Sequence, residues 1–234
     1  MGINAFPDFC KALLACGFSM GGGSAKGIYA VIPYGWEEQQ LVDSPIKWHT
    51  GDPETDPWEW RMRVLEERTD IAYAKVFFRT SGYITSQWYP HFLAVRRKGE
   101  TFAEAYRSGT ISHIAKRIYD LIEANGKLPL HAIKAMGGFQ REEHAKFESA
   151  LVELQMRMFI TMCGRAQKVN SYGQGYGWSS TVFTTVEAFW RDRDATVLER
   201  GMRSSAESYD QIRAQVLRLN PAAEARKIDR LIKG

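Results

Sequence analysis

Residues 111–138, ISHIAKRIYDLIEANGKLPLHAIKAMGG, and residues 158–184, MFITMCGRAQKVNSYGQGYGWSSTVFT, decide the fold. Ile111–Ala124 has helical periodicity and runs into Asn125-Gly126, a helix stop. Lys127–Leu130 is short and extended, His131–Met136 is a second short helix, and Gly137-Gly138 ends it. A third helix over Arg141–Arg157 carries Phe147, Ala150, Leu151 and Leu154 at i, i+3, i+4 and i+7, an apolar stripe for a core. The strand-like run Met158–Cys163, a loop rich in Gly and Tyr (Gly164–Gly177) and a second strand-like run (Trp178–Thr184) follow. Helix, strand, helix, helix, strand, wing, strand is the order of a winged helix-turn-helix, a scaffold that serves both nucleic-acid and protein recognition.

The expected class is therefore α+β, mainly helical. It has an N-terminal α/β-hairpin part (residues 1–108), the winged helix-turn-helix (109–190) and a C-terminal helical extension (191–234). At 234 residues, with 44% apolar and 25% charged side chains, the composition is that of a globular protein with a sizeable core. No apolar run spans a bilayer and the N-terminus lacks the signal-peptide order, so the expected location is cytoplasmic, with no membrane partner. Cys10, Cys16 and Cys163 read as reduced thiols, and the five histidines show no ligand spacing, so neither metal nor cofactor is expected. The net charge of +4 is compatible with a polyanionic partner, and its distribution decides the matter.

The N-terminal part begins with a helix over Ala5–Ala15 capped by Asn4. A glycine-rich turn (Gly21-Gly22-Gly23-Ser24) and a strand over Gly27–Val31 follow. Lys26 precedes Gly27 rather than Ser or Thr, which sets a phosphate loop aside. Between Tyr34 and Trp60 lie four of the seven tryptophans (Trp36, Trp48, Trp58, Trp60) among acids that include Glu37, Glu38 and Glu59. Such a segment either anchors a loop or lines a cleft, with Trp58, Trp60, Lys75 and Trp88 as the candidate pocket. A hairpin over Asp70–Arg79 and Gly82–Gln87 turns at Thr80-Ser81-Gly82, and a helix over Trp88–Arg97 ends in Arg96-Arg97-Lys98. Capping boxes at Thr101/Glu104, Thr184/Glu187 and Ser204/Glu207 start helices. The last helix runs over Ser205–Leu219, and Asn220-Pro221 opens another over Ala222–Ile232.

The exposed face of the third helix carries Glu142, Glu143, Lys146, Ser149 and Glu153, a poor match to a phosphate-lined groove. The wing is better suited, with Arg165, Lys168, Asn170, Ser171, Tyr172, Gln174, Tyr176 and Trp178 mixing cations, donors and aromatics.

Several runs resemble one family. They are Asp56-Pro57-Trp58-Glu59-Trp60, Ala74-Lys75-Val76-Phe77-Phe78 with Gly82-Tyr83-Ile84-Thr85, and Trp88-Tyr89-Pro90-His91-Phe92 followed by Arg96-Arg97. With Leu154-Gln155-Met156 and Tyr172-Gly173-Gln174-Gly175-Tyr176-Gly177-Trp178, they resemble the bacterial AlkZ-related proteins over roughly residues 5–190. These are relatives of winged-helix DNA glycosylases. The resemblance implies winged-helix modules around a small β element, a basic concave surface for duplex DNA and a role in DNA repair. Removal of a cationic base there relies on a Gln-apolar-Gln or Gln-apolar-Asp motif, which none of this chain's glutamines provides. Glu37, Glu38 and Glu59 are the carboxylates that stand as substitutes.

Three readings follow. The first is a DNA-contacting protein with possible glycosylase-like activity, touching phosphates through Arg96, Arg97, Lys98, Arg165 and Lys168, with Tyr172 and Tyr176 beside them. The second is a non-catalytic module that meets a protein partner, or a second copy, through the acidic third helix. The third is a small-molecule enzyme or sensor built on the tryptophan-rich segment.

Overall fold

The structure, a computed structural model, describes residues 2–169, 172 and 174–234. Asn170, Ser171 and Gly173 of the expected wing lie outside them. Two small antiparallel sheets, each of three strands, sit among helices in a mixed α and β fold.

Helix α1 (Phe6–Cys16) buries Phe6, Phe9 and Leu13. Asn4 does not cap it; its backbone N–H donates to the Asp8 carboxylate instead (3.1 Å). Gly17 ends the helix at φ 87°, where a Cβ would stand 2.2 Å from the Trp88 indole, so only glycine fits. Strand β1 (Phe18–Met20) comes next, earlier than the strand expected over Gly27–Val31. That later segment is not a strand: it meets β1 through the Met20 N–H on the Tyr29 carbonyl (3.0 Å), while the Ser19 hydroxyl takes the Val31 N–H (2.9 Å) that a ladder carbonyl would take.

Helix α2 (Pro57–Glu67) is not marked by apolar periodicity, although Asp56-Pro57 is a cap followed by proline at the first turn. Strands β2 (Ile71–Phe77) and β3 (Thr80–Thr85) complete the first sheet in the order β1-β3-β2. Their turn falls at Phe78-Arg79, both at positive φ (51° and 62°), not at Thr80-Ser81-Gly82. Gly82 belongs to β3, where the Phe77 ring would meet an added Cβ at 2.3 Å. Helices α3 (Tyr89–Arg97) and α4 (Phe102–Arg107) follow, the second opened by the expected Thr101/Glu104 capping box.

The second half has the expected order of elements: α5 (His113–Asn125), β4 (Lys127–Pro129), α6 (Leu130–Gly137), α7 (His144–Met156), β5 (Ile160–Val169) and β6 (Gly175–Thr185). The sheet order is β4-β6-β5. The stretch expected as a loop over 164–177 is mostly ladder, with Arg165 opposite Thr181 and Val169 opposite Gly175. Its polar, glycine-rich alternation hides the strands, since exposed strands there carry no apolar period. The C-terminal half of α7 is buried on nearly every side, with Leu151, Val152, Leu154, Gln155 and Met156 all inside, because it packs against both α5 and β2. Gln155 accepts from the Lys75 N–H (3.0 Å) and donates to the Leu151 carbonyl (2.9 Å), joining helix to sheet.

Helix α8 (Val186–Arg191) is capped by Thr185, while the Thr184 hydroxyl donates to the Gly126 carbonyl (2.7 Å). Helices α9 (Thr196–Arg200), α10 (Ser205–Leu219) and α11 (Ala225–Lys233) finish the chain. Asn220-Pro221 does not open α11, which starts after Glu224. The Asn220 amide instead donates to the Gly27 and Ile28 carbonyls (3.1 and 2.9 Å), pinning the irregular N-terminal segment. Buried residues from Phe6 to Ile232 form one hydrophobic cluster. Among the described residues no helix is long and apolar enough to cross a membrane.

Candidate nucleic-acid interface and aromatic cavity

Asp56 organises the tryptophan-rich segment. Fully buried, it accepts from the backbone N–H groups of His49 (3.0 Å), Gly51 (2.9 Å) and Trp58 (2.8 Å). Those bonds cap α2 and hold His49 at φ 61°, a conformation that disfavours a side chain with a Cβ. A cavity of about 410 Å³ opens beside this hub. Trp36, Trp48, His49 and Trp58 contribute rings, Lys26 and Arg61 contribute cations, and the Gly21-Gly22-Gly23 loop and Tyr73 complete much of the wall. Trp48 is fixed by its indole N–H on the Tyr34 carbonyl (3.1 Å), and Gly22 leaves it room, since a Cβ there would lie 2.6 Å from the indole. His49 and Trp58 rings are 4.9 Å apart, and the Arg61 guanidinium lies 3.5 Å from the centre of a Trp58 ring.

Of the pocket residues named from the sequence, Trp58 alone lines this cavity. Trp60 is fully buried, with its indole N–H on the Pro53 carbonyl (3.0 Å). Trp58 and Trp60 are two positions apart on one helix, so about 200° of rotation separates them and they face opposite ways. Trp88 packs edge-on against Phe18 (5.4 Å) and over Gly17, and Lys75 is part-buried in β2. The three candidate carboxylates are not gathered either. Glu37 is exposed, Glu38 accepts from the Gly35 N–H (2.9 Å), and Glu59 pairs with Arg165 (2.7 Å). No carboxylate stands among the cavity-lining residues. Lys26, His49 and Arg61 are not singled out by the sequence as pocket residues. An Asp-Pro helix start beside a tryptophan cluster is the signal that points to them.

The expected cations divide into structural and exposed groups. Arg96 donates through Nε to the Ile232 carbonyl (3.0 Å), through Nη1 to Met156 (2.8 Å) and through Nη2 to Leu231 (2.7 Å). It therefore clamps the ends of α7 and α11, and burial pulls its guanidinium down to about 10, still protonated at neutral pH. Arg97 is sunk beside it, paired with Glu187 and donating to the Met158 carbonyl. Neither guanidinium is presented to a phosphate. Lys98 is exposed at the αL end of α3. Arg165 meets Glu59 and, at 3.6 Å, Glu66, both on α2. Lys168 is exposed on β5.

Among the described residues the β5–β6 hairpin carries three exposed aromatics: Trp178 is 96% exposed, Tyr172 86% and Tyr176 52%. The third helix offers less acid than its sequence promises. Glu143 pairs with Arg117 (2.7 Å), Glu148 with Lys134 (2.7 Å), and Glu153 is part-buried, its carboxyl raised by burial. Glu142 remains exposed. Cys10 and Cys16 are buried, and burial lifts their thiols to about 11 and about 12. Among the described residues no group of three or more His, Cys, Asp or Glu is placed to hold a metal ion.

A family model described as AlkZ related matches residues 3–233. No curated protein matches the chain. Among solved structures the chain is similar to the Streptomyces sahachiroi DNA glycosylase AlkZ, with 11% identity and a TM-score of 0.42. The match covers 76% of this chain and 50% of that one, so this chain spans about half the length of that relative.

Proposed function

The chain belongs to the AlkZ-related family, and we propose that it contacts double-stranded DNA through its β5–β6 hairpin, used as the wing of a winged helix-turn-helix over residues 109–190. The observation that carries this reading is the hairpin's surface. Burying a large apolar side chain is worth about 1.5–3 kcal/mol, so an indole 96% exposed on the same strand as the exposed Tyr176 supports a surface that a partner covers. Aromatics that stack on or wedge between bases, with Lys168 nearby for a phosphate, fit a nucleic acid better than a basic groove that Arg96 and Arg97 no longer supply.

The third helix is a positioning element in this reading. Its C-terminal half is enclosed by α5 and β2, and the turn that precedes it, Arg141–Glu143, carries Glu142 and Glu143. Base excision by Glu37, Glu38 or Glu59 has weaker support than binding, because the Gln-apolar-Gln or Gln-apolar-Asp pattern is absent and Glu59 is held by Arg165. A protein partner met through Glu142, Glu143 and Glu153 of the third helix has weaker support too, since Glu143 pairs with Arg117 and Glu153 is part-buried, which leaves Glu142 exposed.

Fluorescence anisotropy at low salt with normal and alkylated duplexes tests the proposal. Salt-sensitive binding is expected, weakened at least about tenfold (~1.4 kcal/mol) when Lys168→Glu and Trp178→Ala are combined. Absence of binding, or binding indifferent to that double variant, would overturn it.

A further inference from the structure

We infer that the Trp36/Trp48/Trp58 cavity is a binding site for a nucleotide, an aromatic ring carrying a phosphate. The site uses none of the hairpin residues, so it stands apart from the duplex interface proposed above. Its volume of about 410 Å³ falls in the range of small-ligand pockets, roughly 300–1,000 Å³. Trp36 (59% exposed) and Trp58 (44% exposed) both open onto it, and although Arg61 covers one face of the Trp58 indole, exposed ring surface is left on which a flat ligand would stack.

The charge of the wall selects the ligand class. Lys26 and Arg61 line the cavity, no carboxylate does, and neither cation has an ion-pair partner among the described residues. Arg61 spends its Nε on the Trp58 carbonyl (2.8 Å). Its two Nη groups have no partner among the described residues and form the fork that grips a phosphate. The guanidinium already occupies one face of the Trp58 indole, and Lys26 adds charge of the same sign. A cationic ring, such as an alkylated base, meets repulsion there, while a neutral ring carrying an anionic phosphate is attracted.

The site is also preorganised. Asp56 holds the backbone of His49 in the left-handed region, fixing the ring that stands beside Trp58. Strained backbone of this kind persists where surrounding bonds over-determine it, and it concentrates at ligand sites. The Trp48 indole is fixed through Tyr34. The two loops bordering the cavity come together at Gly23 and Gly35, where a Cβ on Gly35 would stand in ordinary contact, 3.5 Å from the Gly23 Cα. For His49 and Trp48, little ordering is then left to oppose binding.

The phosphate-bearing ring has two sources, a free nucleotide or one displaced from a strand, and calorimetry on the full chain separates them. The probes are adenosine monophosphate, the other nucleoside monophosphates, adenosine, inorganic phosphate, and a duplex with one unpaired nucleotide. A monophosphate should bind, adenosine should bind at least about tenfold more weakly, and Arg61→Gln should abolish that difference while retaining the nucleoside. Trp58→Ala should weaken both ligands. Tighter binding of the unpaired duplex, in competition with the monophosphate, assigns the site to a displaced nucleotide; monophosphate binding alone assigns it to free nucleotide. No binding by any monophosphate, with the unpaired duplex bound no more tightly than a fully paired one, overturns the inference. So does equal affinity for adenosine and its monophosphate. Lys26→Gln, at an exposed position, serves as a second variant should Arg61→Gln fail to fold, and it should lower monophosphate affinity without touching adenosine.

Discussion

Replacing Arg96 with alanine separates a structural cation from a DNA-binding one. The side chain reaches three backbone carbonyls, those of Met156, Leu231 and Ile232, and its guanidinium lies 5.4 Å from the Phe92 ring centre and 5.7 Å from that of Phe77. Charge-assisted hydrogen bonds are worth roughly 1.5–3 kcal/mol each, and stranding their acceptors adds desolvation. Removing the desolvation cost of the guanidinium itself and letting water reach the gap offset part of that loss. The net effect expected is about 3–5 kcal/mol, in line with breaking a buried charged contact. Urea denaturation reads it directly. With a slope of about 2–3 kcal/mol/M the midpoint falls by about 1.5 M. Arg96→Lys keeps a charge but not the three-pronged fork, so it should recover less than half of the loss. Duplex affinity and its salt slope should be those of the parent protein wherever the variant is folded. An unchanged midpoint together with a salt slope reduced by about one would show that Arg96 contacts a phosphate instead.

Two further outcomes follow from the ion pairs and one histidine. Glu59→Gln leaves Arg165 only the longer contact to Glu66, so duplex binding should tighten and its salt slope should steepen by less than about one in an anisotropy titration; loss of a base-excision activity with unchanged affinity would make Glu59 catalytic instead. His91 accepts from Arg203 at Nε2 (3.0 Å) and its Nδ1 is buried without a partner, so burial first and Arg203 second depress its pKa below the ordinary 6.5. A histidine depressed in the folded state contributes stability that is complete above its unfolded value and is lost as pH falls below it. Urea midpoints should therefore decline from about pH 7.5 to about 5.5 more steeply for the parent protein than for His91→Asn, and parallel declines would refute the assignment.

Where local chemistry suffices, the chain is legible. Ser205–Leu219 begins and ends as its cap and stripe indicate, and Thr101/Glu104 forms both bonds of a capping box. The order of elements from α5 to β6 can be read because helix stops at Gly126 and Gly138 punctuate it. The site residues are less legible for distinct reasons. Arg96-Arg97-Lys98 reads as a basic run, yet the partners that claim Arg96 lie 60, 135 and 136 positions away and leave no local mark. The tryptophan cluster announces a cleft but not its members, since the rotation of α2 sends Trp60 inward and Trp58 outward. Asp56 is visible as one acid among several, and its role depends on three N–H groups converging in space. On the hairpin, polar alternation over Arg165–Val169 looks like loop because exposed strands lack the apolar period by which strands are recognised.

Hydrogen–deuterium exchange of the full chain, with and without a short duplex at low salt, tests the proposed interface most directly. The hairpin reading predicts slower exchange over 165–169 and 175–180 on adding the duplex, with 141–149 unchanged. Protection confined to 141–149, with the hairpin exchanging as in the free protein, would contradict it and return the third helix to the DNA.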